Sequence, residues 1–131
     1  MSDTPAITLV MPAWNEERYI VPTLESVTAA AERFRIDRGG DVELIVVDND
    51  STDRTAAVAR EHGCRVVSYT RRHQMASVRN AGAREAQAPL IAFVDSDRSL
   101  VPERVFCEIF DNLQSPSIFG GGTAMRPEYW S

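Results

Sequence analysis

The chain has 131 residues, is 44% hydrophobic and 25% charged, and carries a net charge of −5. That is the make-up of one ordinary globular domain, large enough to bury roughly two thirds of its unfolded surface. An acidic balance argues against a general nucleic-acid surface, because phosphate backbones are held by concentrated Lys and Arg. No apolar run approaches the roughly 18 residues of a membrane-spanning helix, and the opening stretch MSDTPAITLVMPAWNEE lacks the basic and then apolar pattern of a secretion signal, so a cytoplasmic protein is expected.

The first apolar run, AITLVMP (6–12), reads as a strand. After Asn15 the positions Ile20, Leu24, Val27 and Ala31 follow helical spacing, with Pro22 suited to a first turn. VELIVVD (42–48) is a second strand, followed by STDRTAAVAREHG as a helix that Ser51 or Thr52 would cap and Gly63 would stop. CRVVSY (64–69) is a weaker strand, and MASVRNAGAREAQ is a helix whose small residues permit close packing on a sheet. PLIAFVD (89–95) is a further strand, a helix is expected from Pro102 to Leu113, and SIFGGGT (117–123) has the pattern of a last strand. Near-continuous Val, Ile and Leu runs suit strands covered on both faces. Strands alternating with helices therefore predict an α/β fold: a doubly wound, mainly parallel sheet with helices on both faces, in a single domain over 1–131. Cys64 and Cys107 are far apart, without metal-ligand spacing, and read as small buried hydrophobes.

The acids are placed unevenly. The first strand ends at PAWNEE, the second at DNDSTD and the fourth at DSD. In open α/β sheets ligands bind beyond the carboxyl ends of the strands, where the strand order reverses. A strand order of three-two-one-four would set Asp48 and Asp50 on one side of the first strand and Asp95 and Asp97 on the other. Carboxylates gathered at one rim repel one another unless Arg, solvent or a cation offsets them, and a divalent Mg²⁺ or Mn²⁺ held by one or two carboxylates plus phosphate oxygens suits so short a DSD. Taken singly, DNDSTD is also an ordinary turn and cap sequence, and a D-x-D is common. The weight lies in three polar strand ends that would converge on one crevice.

The stretches VMPAWNEERYIVPTLES, VELIVVDNDSTDRTAAVAREHG and ASVRNAGAREAQAPLIAFVDSDRSLVPE together resemble the family 2 glycosyltransferases of the GT-A fold, in the family's order and at its spacing. The resemblance implies that Pro12, Ala13, Trp14 and Glu16 line the nucleotide base and ribose, with Trp14 offering a flat face. It implies that Asp48 accepts a hydrogen bond from the base, that Asp97 ligates the metal, and that Asp95 contacts the ribose or the metal's shell. Arg79, in an A-R-N-x-G-like segment, orients the acids of the fourth strand or faces the diphosphate, and Gly82 lets its helix pack closely. Arg71 and Arg72 are expected in a loop over the phosphates.

The implied reaction is transfer of a sugar from a UDP- or GDP-linked nucleoside diphosphate sugar to a glycan or lipid hydroxyl, with inversion and with Mn²⁺ or Mg²⁺ as cofactor. Such a protein would work in the cytoplasm or at the inner face of the membrane. In the family the general base lies well after the D-x-D, whereas only 34 residues follow Asp97, and Glu103, Glu108 and Glu128 are poorly placed to serve. The chain is therefore expected to supply the donor-binding half without the acceptor-binding half, and to self-associate through an apolar sheet edge near which Tyr129 and Trp130 also belong. A non-catalytic nucleotide-sugar-binding or assembly module is the alternative. FVDSDRSL is also similar to the first motif of haloacid dehalogenase phosphatases, in which Asp95 would be the nucleophile and Asp97 the acid; that reading needs a downstream lysine, and none follows Leu100.

Overall fold

A computed structural model describes residues 4–71, 73–96, 99–114 and 126–127. The central strand β1 (Ile7–Ala13) is buried at every position and is flanked by β2 (Val42–Asp48) and β4 (Leu90–Phe93), with β3 (Arg65–Ser68) outside β2. The order β3-β2-β1-β4 is the expected one, and all three pairings are parallel. Register is set from Ile7 opposite Val42 and Leu90 to Ala13 opposite Asp48, so the carboxyl ends finish side by side. A two-stranded antiparallel ribbon, β5 (Ser99–Leu100) with β6 (Arg126–Pro127), stands apart from the sheet and had no signal in the sequence. The expected strand at 117–123 lies outside the described residues.

Side chains alternate across the sheet, as the strand period of two requires. Ile7, Leu9, Met11 and Val46 meet α1 (Ile20–Arg38), α2 (Thr55–Glu61) and α4 (Val105–Asn112) on one face. Val10, Ile45 and Val47 meet Val78 and Ala81 of α3 (Met75–Arg84) on the other. Helices thus cover both faces, as a doubly wound sheet demands. Helix α1 buries Ile20, Leu24, Val27 and Phe34, and Phe34 meets Phe110 edge-on with ring centroids 5.4 Å apart. It ends at Gly39, whose φ of 73° is the left-handed conformation of a C-cap and whose N–H reaches the Arg35 carbonyl at 2.9 Å. Cys64 and Cys107 are both buried in the core, and burial pushes the Cys64 thiol up to about 11.

Coverage is incomplete at β4. Ile91 and Phe93 are 41% and 48% exposed, and among the described residues β4 pairs only with β1. Among the described residues no helix is long and apolar enough to cross a membrane.

Gly82 is where α3 comes closest to the sheet: a Cβ there would lie 2.3 Å from Val10 Cγ1 and 2.8 Å from Val47 Cγ2. At an exposed helical site Gly→Ala stabilises by up to about 1 kcal/mol, but here overpacking decides the sign. Gly82→Ala is expected to destabilise the domain by roughly 1–3 kcal/mol, read as a lower urea midpoint. An unchanged or raised midpoint would show that α3 does not sit this close.

Candidate functional site

The strand ladder continues past β1 on both sides. Asn49 N–H donates to the Ala13 carbonyl at 2.8 Å, and Val94 N–H donates to the Val10 carbonyl at 3.1 Å. These bonds bring residues 12–16, 48–50 and 94–96 to one rim. The first two segments are then sewn together. Asn15 N–H donates to Ser51 Oγ at 2.9 Å, Thr52 N–H to Asn15 Oδ1 at 2.8 Å, Glu16 N–H to Thr55 Oγ1 at 3.0 Å, and Arg54 N–H to Glu17 Oε1 at 3.1 Å. Asn15 and Asp50 make the corners with φ of 49° and 62°, a region that Asn and Asp tolerate better than other side chains.

This stitching corrects the expected start of α2. Ser51 or Thr52 was expected to cap it, but the helix begins at Thr55 with Arg54 at its N-cap and no side-chain cap bond. Ser51 Oγ is instead taken by the loop after β1, a partner 36 residues away. Asp53 takes the local role, accepting bonds from the Thr55 amide and hydroxyl and from Glu17 N–H.

A cavity of about 350 Å³ opens at this rim, within the roughly 300–1,000 Å³ range of small-molecule sites. Pro12, Ala13, Trp14 and Glu16 form one side, Asn49 adjoins them, Met75 and Arg79 of α3 form another, and Asp95 and Ser96 close it beyond β4. Six of the expected site residues therefore meet: Pro12, Ala13, Trp14, Glu16, Arg79 and Asp95. Trp14 is 39% and Met75 47% exposed, so two large apolar surfaces are offered at the cavity.

Asp48 does not line the cavity. It is 8% exposed, and its Oδ1 accepts Ser51 N–H at 3.3 Å. Strand alternation sets it on the side of Val46, toward α1 and α2, and sets Asn49 on the side of Val47, toward α3. Asn49 and Met75 are lining residues that the sequence reading did not single out, and Ser96, the small residue between the two acids of DSD, lines the cavity as well. Asp97 and Arg72 lie outside the described residues.

Arg79 Nη2 lies 3.4 Å from Asp95 Oδ1, with the two side chains 43% and 59% exposed, so the pair is a weak and replaceable contact. The Nε of Arg79 is buried and finds no hydrogen-bond partner among the described residues. A buried donor without a partner costs about 1–3 kcal/mol.

The sequence model of Glycosyl transferase family 2 matches residues 8–124. The chain belongs to glycosyltransferase family 2. An uncharacterized glycosyltransferase of Mycobacterium tuberculosis is 36% identical over 95 residues, covering 72% of this chain and 38% of that protein. Among solved structures, glucosyl-3-phosphoglycerate synthase of Mycobacterium tuberculosis, in complex with Mn²⁺, UDP and glucosyl-3-phosphoglycerate, is 32% identical with a TM-score of 0.55, over 80% of this chain and 38% of that one. The mannosyltransferase PcManGT of Pyrobaculum calidifontis, in complex with GDP-Man and Mn²⁺, superimposes with a TM-score of 0.73 at 23% identity, over 89% of this chain and 34% of that one. The fold is that of the GT-A glycosyltransferases, and this family 2 chain spans little more than a third of the length of these three proteins.

Among the described residues Glu16 and Asp95 are the carboxylates that line the cavity. Among the described residues no group of three His, Cys, Asp or Glu side chains gathers. A cation here would take the Asp95 carboxylate, with Asp97 two residues on, and complete its shell with diphosphate oxygens and water, the usual arrangement for Mg²⁺ and Mn²⁺.

The stitching also predicts a pH effect. Burial raises the Asp53 pKa, but the bonds from the Thr55 hydroxyl and amide and from Glu17 N–H outweigh it and hold the carboxyl below its ordinary 3.8. A depressed folded-state pKa contributes stability that is present above the unfolded value and lost as pH falls through the folded one. Asp53→Asn is therefore expected to lower the thermal midpoint at pH 7, by a deficit that narrows as pH falls below 3.8. A deficit that stays constant across this range would remove the charge from the account.

Proposed function

We propose that this chain binds a UDP- or GDP-linked nucleoside diphosphate sugar together with Mn²⁺ or Mg²⁺, as the donor side of an inverting sugar transfer to a glycan or lipid hydroxyl. The observation that carries the reading is the convergence of Trp14, Glu16, Arg79 and Asp95 on one cavity at the carboxyl ends of β1 and β4. The complexes of the two solved relatives with GDP-Man and Mn²⁺ and with UDP and Mn²⁺ support it. In this reading Trp14 stacks on the base, a contact worth roughly 1–3 kcal/mol. Arg79 donates to a diphosphate oxygen through the exposed end of its guanidinium, whose Nη2 has only the weak contact with Asp95. Asp95 and Asp97 hold the cation, and Asp48, buried behind the lining, fixes the turn that presents Asn49. The cation, when bound, neutralises charge on the departing diphosphate.

Inversion also requires a base for the acceptor's proton. Among the described residues the carboxylates that line the cavity are Glu16 and Asp95, both assigned to the donor, and Glu103 stands 3.7 Å from Arg33, away from the lining. Donor binding is therefore the activity assigned to these residues, and transfer is proposed for the longer polypeptides of the family. The reading places the protein in the cytoplasm, at the inner face of the membrane when the acceptor is a lipid. The edge of β4, which among the described residues pairs only with β1 and carries the exposed Ile91 and Phe93, favours self-association of the chain.

Calorimetric titration of UDP, GDP, CDP and dTDP, with Mn²⁺ and then with chelator, tests the donor site. One diphosphate is expected to bind saturably and to be released by chelation; no binding under any condition overturns the reading. Asp97→Ala is expected to abolish the metal-dependent part of that binding without unfolding the domain. Arg79→Ala is expected to weaken it by about tenfold, as loss of a charge-assisted hydrogen bond would. A folded Asp97→Ala chain with undiminished metal-dependent affinity would remove the cation role.

A further inference from the structure

Asn49 stands just past β2, is 4% exposed, and lines the cavity. Its Nδ2 donates to the His73 carbonyl at 2.9 Å, and its Oδ1 accepts His73 N–H at 2.7 Å. One side-chain amide therefore pairs with both main-chain groups of a residue 24 positions away, as a neighbouring strand would. The two bonds fix the orientation of the carboxamide, since the opposite one would set donor against donor and acceptor against acceptor.

The connection between β3 and α3 is fastened at further points. The Tyr69 ring stacks on the His73 ring with centroids 4.1 Å apart, and the Tyr69 hydroxyl donates to the Ser77 carbonyl at 2.9 Å. His73 Nδ1 also contacts the Arg71 carbonyl oxygen. The Asn49 pair ties the connection to the sheet at His73, as Tyr69 N–H, donating to the Asp48 carbonyl at 3.1 Å, ties it at its start; the remaining contacts lie within the connection and the start of α3. Two residues after His73 the helix begins at Met75, and Met75 and Arg79 are the cavity residues it supplies.

We propose that Asn49 is a positioning residue. Its carboxamide holds the β3–α3 connection at His73, and through it the first turn of α3, as a fixed wall of the cavity. The consequence for donor binding rests on the reading of the cavity given above. Asn suits the position because a carboxamide both donates and accepts. A carboxylate of the same shape would accept His73 N–H but set a negative charge against the His73 carbonyl oxygen, and Ala would leave both main-chain groups without this partner.

The test compares the parent chain with Asn49→Ala and Asn49→Asp, following amide hydrogen exchange and the binding of UDP and GDP with Mn²⁺. Exchange at the His73 amide is expected to rise by about tenfold in Asn49→Ala, where opening the connection no longer breaks the pair, and by less in Asn49→Asp, which still accepts that N–H. Diphosphate affinity, measured well below the unfolding midpoint, is expected to fall by about tenfold, the equivalent of one to two ordinary hydrogen bonds. The isosteric Asn49→Asp separates the lost donor from any change in packing. Equal exchange at His73 in all three chains would overturn the proposal, as would faster exchange with unchanged affinity. If the parent chain binds neither diphosphate, the donor reading fails, while exchange at His73 still decides whether Asn49 holds the connection.

Discussion

Burial of β1 on both faces is the constraint from which the rest of the structure follows. All seven residues from Ile7 to Ala13 are buried, so the strand must have helices on each side and a strand along each edge. Parallel pairing with β2 and β4 satisfies its backbone groups, and parallel strands finish at the same rim of the sheet. The polar residues after Ala13, Asp48 and Phe93 are thereby gathered. The cavity is a consequence of strand direction before it is a consequence of any side chain.

What makes the rim a site is the rigidity of its loops. The turns after β1 and β2 exchange bonds in both directions: Asn15 accepts from Thr52 and donates to Ser51, and Glu17 accepts from Arg54 and donates to Asp53. Trp14 and Glu16 therefore sit on a segment tied to a second strand. A binding group carried on such a segment loses little conformational freedom when a ligand arrives.

Much of this was legible in the sequence, for identifiable reasons. VELIVVD is bounded by polar residues at both ends, and β2 occupies those seven positions. Gly82 reads as a packing residue because it falls among small side chains on one helical face, and its closeness to Val10 and Val47 agrees. Six expected site residues meet because each adjoins a strand end or follows a helical repeat. Two of the differences share one cause. Ser51 caps a loop 36 residues away instead of its own helix, and Asn49 pairs with a main chain 24 residues on. Sequence shows which side chains can donate and accept, but a backbone partner leaves no mark on composition or spacing. The placement of Asp48 away from the lining was readable, since alternation through Val46 sets it on the α1 side.

Asn15 carries two demands at once. Its φ of 49° favours glycine on steric grounds, while its Oδ1 must accept Thr52 N–H at 2.8 Å. Glycine meets the first demand and fails the second, and the other common polar residues do the reverse. The position thus admits a vocabulary of about two letters, Asn and Asp. Sequence drift at this corner is confined without any ligand being involved, so invariance among distant homologues would report the architecture of the turn and not the chemistry of the donor.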